Sequence, residues 1–244
     1  MIKKIVSKFI KWNRNKEKLK KFKLDYNKFV ILDKTNRFKV EWNDCLPKLH
    51  DNTLFTNFDS HYIYHPAWAA RVLKDISPVE HVDFSSSLHF CTMISAFIPT
   101  LFYDYRPAQL NLPNLETKRA DLTNLDLLDN SIQSLSCLHT IEHIGLGRYG
   151  DALDPNGDIK AIIELQRVAA DHILIVVPIG EPKIYFNAHR VYNPKDLCNL
   201  FSECTLVDFS FVDDNGAFHF SSKLENVINQ SYACGCFYFR KNKN

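Results

Sequence analysis

The stretch I-Q-S-L-S-C-L-H-T-I-E-H-I-G-L-G-R-Y-G-D, residues 132–151, decides how the rest of the chain is interpreted. Its first seven residues, 132–138, are mostly apolar and predict a buried strand. A polar cluster follows at once, spaced by three of the chain's seven glycines. Its members are His139, Glu142, His143, Arg148, Tyr149 and Asp151. Ligands of open α/β sheets bind outside the carboxyl ends of the strands, so we expect a ligand site here.

The composition is that of a folded protein with reduced cysteines. The 244 residues are 45% hydrophobic and 24% charged, which is enough apolar sequence for a large core. Seven cysteines are scattered along the chain, and the close pair Cys234 and Cys236 alternates with aromatic residues in a strand-like run. We therefore expect free thiols in the cytoplasm. No cysteine spacing is typical of metal ligands, and no metal ligand is predicted.

Positive charge is concentrated at the N-terminus. Residues 1–23 hold ten Lys or Arg and one acid, a charge of +9, which leaves −7 for the rest of a chain whose net charge is +2. Apolar residues at helical spacing predict a basic amphipathic helix here. They are Ile2, Ile5, Val6 and Phe9.

Two interpretations of this helix stay open. In the first, the helix binds an anionic membrane surface, and the protein is cytoplasmic but peripheral to the membrane. In the second, the helix is solvated and its apolar stripe packs on the rest of the chain. The segment is too short and too charged to span a bilayer. Nucleic acid is not expected as a partner, because the body is acidic.

Strand-like and helix-like segments alternate from about residue 60 onward. The predicted strands are 79–84, 100–105, 115–120, 132–138, 172–177, 205–212 and 234–240, and the predicted helices are 67–76, 88–97, 158–170 and 193–201. Pro66 is expected in the first turn of the first helix. This alternation predicts an α/β domain over residues 59–244, with residues 1–58 as an N-terminal extension and cap. We expect a Rossmann-like, doubly wound sheet of seven strands, mostly parallel with an antiparallel edge strand.

Acidic or polar residues follow four of the predicted strands in succession. They are Asp83 with Ser85, Ser86 and Ser87, then Asp104, then Asp121, and then the polar cluster of the opening stretch. An acid after the second strand of a nucleotide-binding sheet accepts ribose hydroxyls, and a polar loop after the first offers backbone N–H groups. By position, Asp121 is a candidate acceptor for an adenine amino group. Single strand-end aspartates often only cap helices, so the serial order is what favours a nucleotide-like cofactor.

Eight segments carry a resemblance to a known family. They are H-Y-I-Y-H-P-A-W-A-A-R (61–71), H-V-D-F-S-S-S-L (81–88), F-Y-D-Y-R-P-A (102–108), A-D-L (120–122), S-L-S-C-L-H-T-I-E-H-I-G-L-G-R-Y-G-D (134–151), E-L-Q-R-V (164–168), V-V-P-I-G (176–180) and F-N-A-H-R-V-Y (186–192). In these segments the sequence resembles class I S-adenosylmethionine-dependent methyltransferases. It is more closely similar to a methyltransferase-like bacterial family of unassigned function, often met among surface-polysaccharide genes. The resemblance covers most of the chain beyond residue 50.

The resemblance implies S-adenosylmethionine as the cofactor. Its methionine moiety would lie near Asp83 and residues 85–87, its ribose on Asp104, and its adenine near Asp121 and Leu122. The implied substrate, a hydroxyl of a sugar or sugar phosphate in surface-glycan synthesis, would lie over the histidines of the polar cluster.

Methylation of a hydroxyl requires a base for the hydroxyl proton, and histidine suits that role near neutral pH. The candidates are His139, His143 and His189, with Glu142 to orient one of them. The candidates for holding an acidic or phosphorylated substrate are Arg148, Tyr149, Asp151 and Arg190. A structural interpretation, in which the charged residues of the cluster only form an ion-paired loop, also stays open.

Three other functions are weighed against methyl transfer. The chain has no glycine between residues 1 and 144, whereas this class usually has a glycine-rich first loop, and this departure favours a cofactor-free binding or scaffold protein on the same fold. A different reaction, such as elimination or glycosyl transfer, would use the same histidines and glutamate. The motif H-x-x-E-H at 139–143 matches a zinc-hydrolase signature. That motif binds metal from a helix, so the strand before it and the glycines after it argue against zinc hydrolysis.

Overall fold

A computed structural model describes the backbone of residues 2–243 and the side chains of residues 15–243. The chain divides into two compact units, Met1–Asn57 and Phe58–Asn244. Among the described residues, no helix combines the length and the apolar character needed to cross a membrane.

The first unit contains a long helix, α1 (Ile2–Leu32), followed by an irregular segment with one 3₁₀ turn, Trp42–Asp44. The Trp42 ring packs edge-on against Tyr26, with ring centroids 5.1 Å apart. Helix α1 extends beyond the basic segment into residues for which the sequence showed no clear period. The predicted apolar stripe of residues 2–9 lies outside the described side chains.

The second unit contains every strand that the sequence predicts, with ends shifted by a few residues. Its described helices are α2 (Ser60–Ile76), α3 (Leu88–Ile94), α4 (Gly157–Val168) and α5 (Pro194–Leu200). Its described strands are β1 (His81–Phe84), β2 (Thr100–Asp104), β3 (Leu115–Arg119), β4 (Ile132–Leu138), β5 (Ala169–Ile179), β6 (Lys183–Tyr185), β7 (His189–Val191), β8 (Cys204–Val212), β9 (Phe218–His219) and β10 (Ala233–Lys241). Two 3₁₀ turns, Ile141–His143 and Leu224–Asn226, complete it.

The main sheet has the order β3-β2-β1-β4-β5-β10-β8-β9. Strands β1 to β5 pair in parallel, whereas β10 runs antiparallel to β5 and β8, and β9 runs antiparallel to β8. The predicted fold class, a mostly parallel Rossmann-like sheet with antiparallel strands at one edge, is confirmed. The strand count was wrong by one, because the short β9 extends the edge to eight strands. Strands β6 and β7 form a separate two-stranded sheet.

Strand β5 is buried on both faces of this sheet. Ile173 and Ile175 belong to a hydrophobic cluster that includes side chains of α4 and α5. Leu174 and Val176 belong to a second cluster, which includes side chains of α2 and α3. Because successive side chains of a strand point to opposite faces, helices cover both sides of the sheet, as the unbroken apolar run of β5 predicted.

Helix α2 differs from its prediction. It was expected to begin at Pro66, whereas it begins at Ser60 and has Pro66 inside it. An internal proline costs about 3 kcal/mol, and the complete burial of Trp68 and Leu73 offsets that cost. The additional turns bring His61 into the folded unit.

Candidate functional site

The carboxyl ends of β1, β2 and β4 open into one continuous groove. Three adjoining hollows make up this groove, and Ser85, His143 and Tyr149 line all three of them. One hollow holds about 610 Å³ of empty space, counting the part that is open to solvent. We call the three hollows together the rim groove.

Most of the predicted site residues line the rim groove. Asp121, Leu122 and Asp151 line its first hollow, Asp104 and His139 line its second, and Ser86, Ser87, His139, Glu142, Arg148 and His189 line its third. The strand ends therefore share one hollow surface, as the prediction of a common ligand site requires. Asp83 and Arg190 line none of these three hollows.

The loop after β1 takes its conformation without glycine. Ser85 has a φ of +57°, in the left-handed region that glycine adopts most easily. Its hydroxyl donates a hydrogen bond to the Tyr103 carbonyl. The Ser86 hydroxyl accepts one from the Leu138 N–H at 3.0 Å, and Ser87 caps α3. These hydroxyls hold the loop itself, so the loop faces a ligand mainly with its backbone.

Asp83 was predicted to contact a cofactor, and the structure corrects this. Its side chain is fully buried, and its carboxylate accepts hydrogen bonds from the Ser136 hydroxyl at 2.5 Å and the Ser86 N–H at 3.0 Å. Burial raises the pKa of Asp83 to about 6, although the hydrogen bonds from the serines act in the opposite direction. Asp83 lies beneath the groove and links the loop of residues 85–87, here called the serine loop, to β4.

Asp104 and Asp121 present carboxylates to the groove. One oxygen of Asp104 accepts a hydrogen bond from the Arg106 N–H at 2.6 Å. One oxygen of Asp121 accepts from the N–H and the hydroxyl of Thr123. The second oxygen of each carboxylate has no hydrogen bond within the described part of the chain. These acceptors, with the apolar Leu122 beside them, fit the ribose hydroxyls and the adenine of an adenosyl ligand.

Glu142 organises the histidines at the other end of the groove. It is 1% exposed, and its Oε1 lies 2.8 Å from Nδ1 of His139 and 3.8 Å from Nε2 of His143. Its Oε2 is buried and has no hydrogen-bond partner among residues 15–243. Burial alone would lower the pKa of His139, but the Cys234 sulfur and the Glu142 carboxylate raise it. A buried carboxylate oxygen without a partner is stabilised by a hydrogen-bond donor, which a water molecule or a ligand can supply, or by a cation.

His143 is the histidine best placed to act as a base. Its Nδ1 lies 2.6 Å from the Ala188 carbonyl oxygen. A carbonyl only accepts, so Nδ1 carries the hydrogen and Nε2 is the basic nitrogen of the neutral ring. His139 instead turns its Nε2 to the Cys234 sulfur, 3.3 Å away. His189 lines only the third hollow, and burial lowers its pKa.

The motif H-x-x-E-H does not form a helical metal site. His139 follows β4 with a φ of +57°, and only a 3₁₀ turn separates it from His143. Nδ1 of His139 pairs with Glu142, whereas Nδ1 of His143 pairs with a backbone carbonyl. The two imidazoles therefore lack the helical arrangement that a zinc hydrolase of this signature requires.

Two guanidinium groups lie close to the Tyr149 ring. Arg106 and Arg148 lie over this ring at 4.8 Å and 5.1 Å from the centroid. Their charges make this part of the rim groove suitable for a phosphate or a carboxylate. Arg106 was not named from the sequence as a site residue, although its position directly after the Asp104-Tyr105 strand end carried the signal.

The two remaining predicted substrate contacts have structural partners. The Asp151 carboxylate accepts hydrogen bonds from the N–H groups of Gly145, Gly147 and Tyr149. It therefore closes the loop of residues 145–151, here called the glycine loop. Arg190 is a correction, because it is 5% exposed and lies beneath the loop. It donates to the carbonyl oxygens of residues 142, 144 and 155, and its Nε lies 3.4 Å from the Asp158 carboxylate.

Comparisons with known proteins give a family match over part of the chain. A family model described as Caenorhabditis protein of unknown function, DUF268, matches residues 120–240. No curated protein matches this sequence.

Solved structures share the fold over most of this chain. The YcgJ protein from Bacillus subtilis is similar with a TM-score of 0.51 and 12% identity, over 74% of this chain and 100% of its own. A putative sarcosine dimethylglycine methyltransferase from Galdieria sulphuraria has a TM-score of 0.50 and 12% identity, over 73% and 85%. This chain therefore shares its Rossmann-like fold with these proteins, one of which is described as a putative methyltransferase. The [4+2]-cyclase SpnF shares it, with a TM-score of 0.52 and 10% identity over 73% and 82%, so the fold alone does not fix the reaction.

Proposed function

We propose that the protein is an S-adenosylmethionine-dependent methyltransferase that acts on a hydroxyl of a sugar or sugar phosphate in surface-glycan synthesis. The observation that supports this most is the continuity of the rim groove. Asp104 and Asp121 line one part of it, Glu142 lines another, and His143 lines all of it. A cofactor and an acceptor held in these parts would be adjacent, as in-line transfer of a methyl group requires.

The cofactor half of the groove would use Asp104, Asp121 and Leu122 for the adenosine part. The backbone after β1, held open by the positive φ of Ser85, would face the amino-acid part. When bound, the cofactor supplies an electrophilic methyl group. The chain's own contribution is to position it and to keep water away from it.

The acceptor half of the groove would activate the hydroxyl. His143 removes the hydroxyl proton at Nε2, and the Glu142 carboxylate 3.8 Å away stabilises the imidazolium that forms. Arg148 lines this half, and Arg106 lies over the same Tyr149 ring from the adjoining hollow, so positive charge there favours an anionic acceptor such as a sugar phosphate.

Titration calorimetry of the full chain with S-adenosylmethionine and S-adenosylhomocysteine tests this function. We expect both to bind, and we expect Asp104→Asn and Asp121→Asn to weaken binding by about 10- to 100-fold, since each removes a charge-assisted hydrogen bond. Asp126→Asn is the matched control, because Asp126 is exposed near Asp121 and lines none of the three hollows. Absence of binding by the wild type at millimolar concentration would overturn the proposal.

A cofactor-free binding protein is the second candidate, and the serine loop is what favours it. Ser85 carries a Cβ atom at a left-handed position, and the three serine hydroxyls are engaged within the protein. The same calorimetry separates the two functions. Wild-type protein that binds neither ligand and yet unfolds cooperatively would favour the cofactor-free function.

A further inference from the structure

Three side chains from distant parts of the sequence meet beside the rim groove. They are His61 in the first turn of α2, His139 directly after β4, and Cys234 near the start of β10. One ligand atom from each lies within 4.8 Å of the other two. We propose that these three residues, here called the His61 cluster, bind a zinc ion or another borderline-soft divalent metal ion.

The spacing of the cluster suits tetrahedral zinc. With Zn–S of about 2.3 Å and Zn–N of about 2.0–2.1 Å, a sulfur and a nitrogen ligand lie roughly 3.5 Å apart. The Cys234 sulfur and Nε2 of His139 are already 3.3 Å apart. The ligand atom of His61 lies within 4.8 Å of both, and the half-buried His61 ring, now stacked near the rings of His139 and Tyr232, would turn towards them to complete the site.

His139 has the surroundings of a metal ligand. Its Nδ1 lies 2.8 Å from Oε1 of Glu142, which fixes the ring and directs Nε2 towards Cys234. In zinc sites the other ring nitrogen of a ligating histidine commonly donates its hydrogen to a carboxylate, which fixes the tautomer and the orientation of the ring. The backbone of His139 is left-handed, with φ +57°, and non-glycine residues in this conformation cluster at functional sites.

The charges of the site balance when a dication is present. Cys234 and Glu142 are both buried, and a thiolate with a carboxylate neutralises an ion of charge +2. The second oxygen of Glu142 has no partner among the described residues, which is the situation that a nearby cation relieves. Nitrogen and thiolate ligands together select zinc over calcium or magnesium.

Three protein ligands leave one tetrahedral position for a water molecule or a substrate oxygen, as in catalytic zinc sites. His139 lines two hollows of the rim groove, so an ion on it is reached from the acceptor half. The metal would polarise an acceptor oxygen beside His143. This inference goes beyond methyl transfer, because none of the three ligands takes part in the proposed cofactor contacts.

Zinc content and cobalt spectroscopy of the full chain test the His61 cluster. After desalting we expect one zinc per chain, and after replacement by cobalt we expect a thiolate-to-metal charge-transfer band with the intense visible bands of a tetrahedral site. Cys234→Ser should abolish the charge-transfer band. His61→Ala should lower zinc affinity, measured against a chelator, by more than the factor of about 10 to 100 expected for Glu142→Gln, which removes only the carboxylate that pairs with His139.

Two matched controls should keep the ion and the bands. Cys91→Ser removes another buried cysteine, and His89→Ala removes an exposed histidine outside the cluster. Zinc should also raise the Tm of the wild type and of both controls, but not that of Cys234→Ser. If Cys234→Ser does not fold, His61→Ala, at a half-buried position, decides the test.

Equal zinc affinity in the wild type and His61→Ala would overturn the proposal, as would a wild type that binds no zinc in the micromolar range. Both results leave the methyltransferase proposal standing, because the calorimetry with S-adenosylmethionine is carried out on chelator-treated protein.

Discussion

His81 is held between two serine hydroxyls in the middle of the sheet. Its Nδ1 and Nε2 lie 2.8 Å from the hydroxyl oxygens of Ser134 and Ser136, and Ser136 donates onward to Asp83. Burial lowers the pKa of His81 to about 3, so the ring is neutral at physiological pH. The sequence could not show this chain of hydrogen bonds, because His81 and its partners are more than fifty positions apart and become neighbours only when β1 pairs with β4.

Asp83→Asn should change how stability depends on pH. The folded-state pKa of Asp83 is about 6, above its ordinary 3.8. Its contribution to stability is therefore complete below about pH 4 and is lost as the pH rises through 6. Asparagine does not titrate, so between pH 4 and 7 the difference in unfolding free energy should shift in favour of the variant, by up to about 3 kcal/mol.

Urea unfolding of both proteins at several pH values measures this difference. His81 acts with the opposite sign, since its lowered pKa makes stability rise with pH, but it is present in both proteins and cancels. A difference that is constant from pH 4 to 7 would show that Asp83 titrates normally in the folded state.

Burial also distinguishes the two arginines that the sequence predicted as substrate contacts. Arg148 is exposed and lines the groove, whereas Arg190 is buried and bonded to backbone carbonyls. Arg148 stands between a glycine and a tyrosine and Arg190 between a histidine and a valine, and neither pair of neighbours predicts which arginine is buried. The partners of Arg190, at residues 142–158, are more than thirty positions away.

At the scale of elements, the strands were predictable and the loops that carry the site were not. Apolar runs such as β5 determine strands through side-chain burial, which a local pattern records. The loop from Gly145 to Asp151 instead depends on one carboxylate that accepts three N–H groups, and the serine loop depends on a left-handed Ser85. Helix α2 was predicted too short, because tertiary burial of Trp68 outweighs the local effect of Pro66.

Gly145→Ala and Gly150→Ala form a matched pair that tests the glycine loop. Both glycines have positive φ, at +78° and +84°. A Cβ atom on Gly145 would lie 2.1 Å from the Asp154 carbonyl oxygen, whereas nothing lies within 4 Å of one on Gly150. We expect Gly150→Ala to cost about 1 kcal/mol, from backbone strain alone, and Gly145→Ala to cost at least about 2 kcal/mol more, because backbone must move.

Thermal or urea unfolding gives both values. Equal destabilisation by the two substitutions would mean that the backbone at Asp154 moves aside without a cost in free energy. The glycine loop would then be more easily deformed than its hydrogen bonds indicate.

At the scale of the whole molecule, the chain joins a basic helix to an α/β unit. We propose that residues 1–23 bind an anionic membrane surface. With ten basic residues against one acid, the segment has the charge that attracts it to acidic lipids, at about 1 kcal/mol per Lys or Arg near the surface.

Flotation with vesicles that contain acidic phospholipid measures this binding. The full chain should float, deletion of residues 1–23 should lower the bound fraction at least about tenfold, and added salt should weaken binding by the full chain. Vesicles of neutral lipid are the control. Equal flotation of the full-length and shortened chains would remove the membrane proposal.

The order of the strands has a consequence for how this protein can change. From β1 the chain first travels outward through β2 to β3, then returns to β4 on the other side of β1 and travels away through β5. The connections after β1 and β4 therefore diverge, and the crevice between them is left by the path of the backbone rather than carved by particular side chains. Substitutions of exposed wall side chains such as Arg148 can alter what is recognised or transformed without closing the crevice, so new specificity is accessible to this fold at little risk to folding.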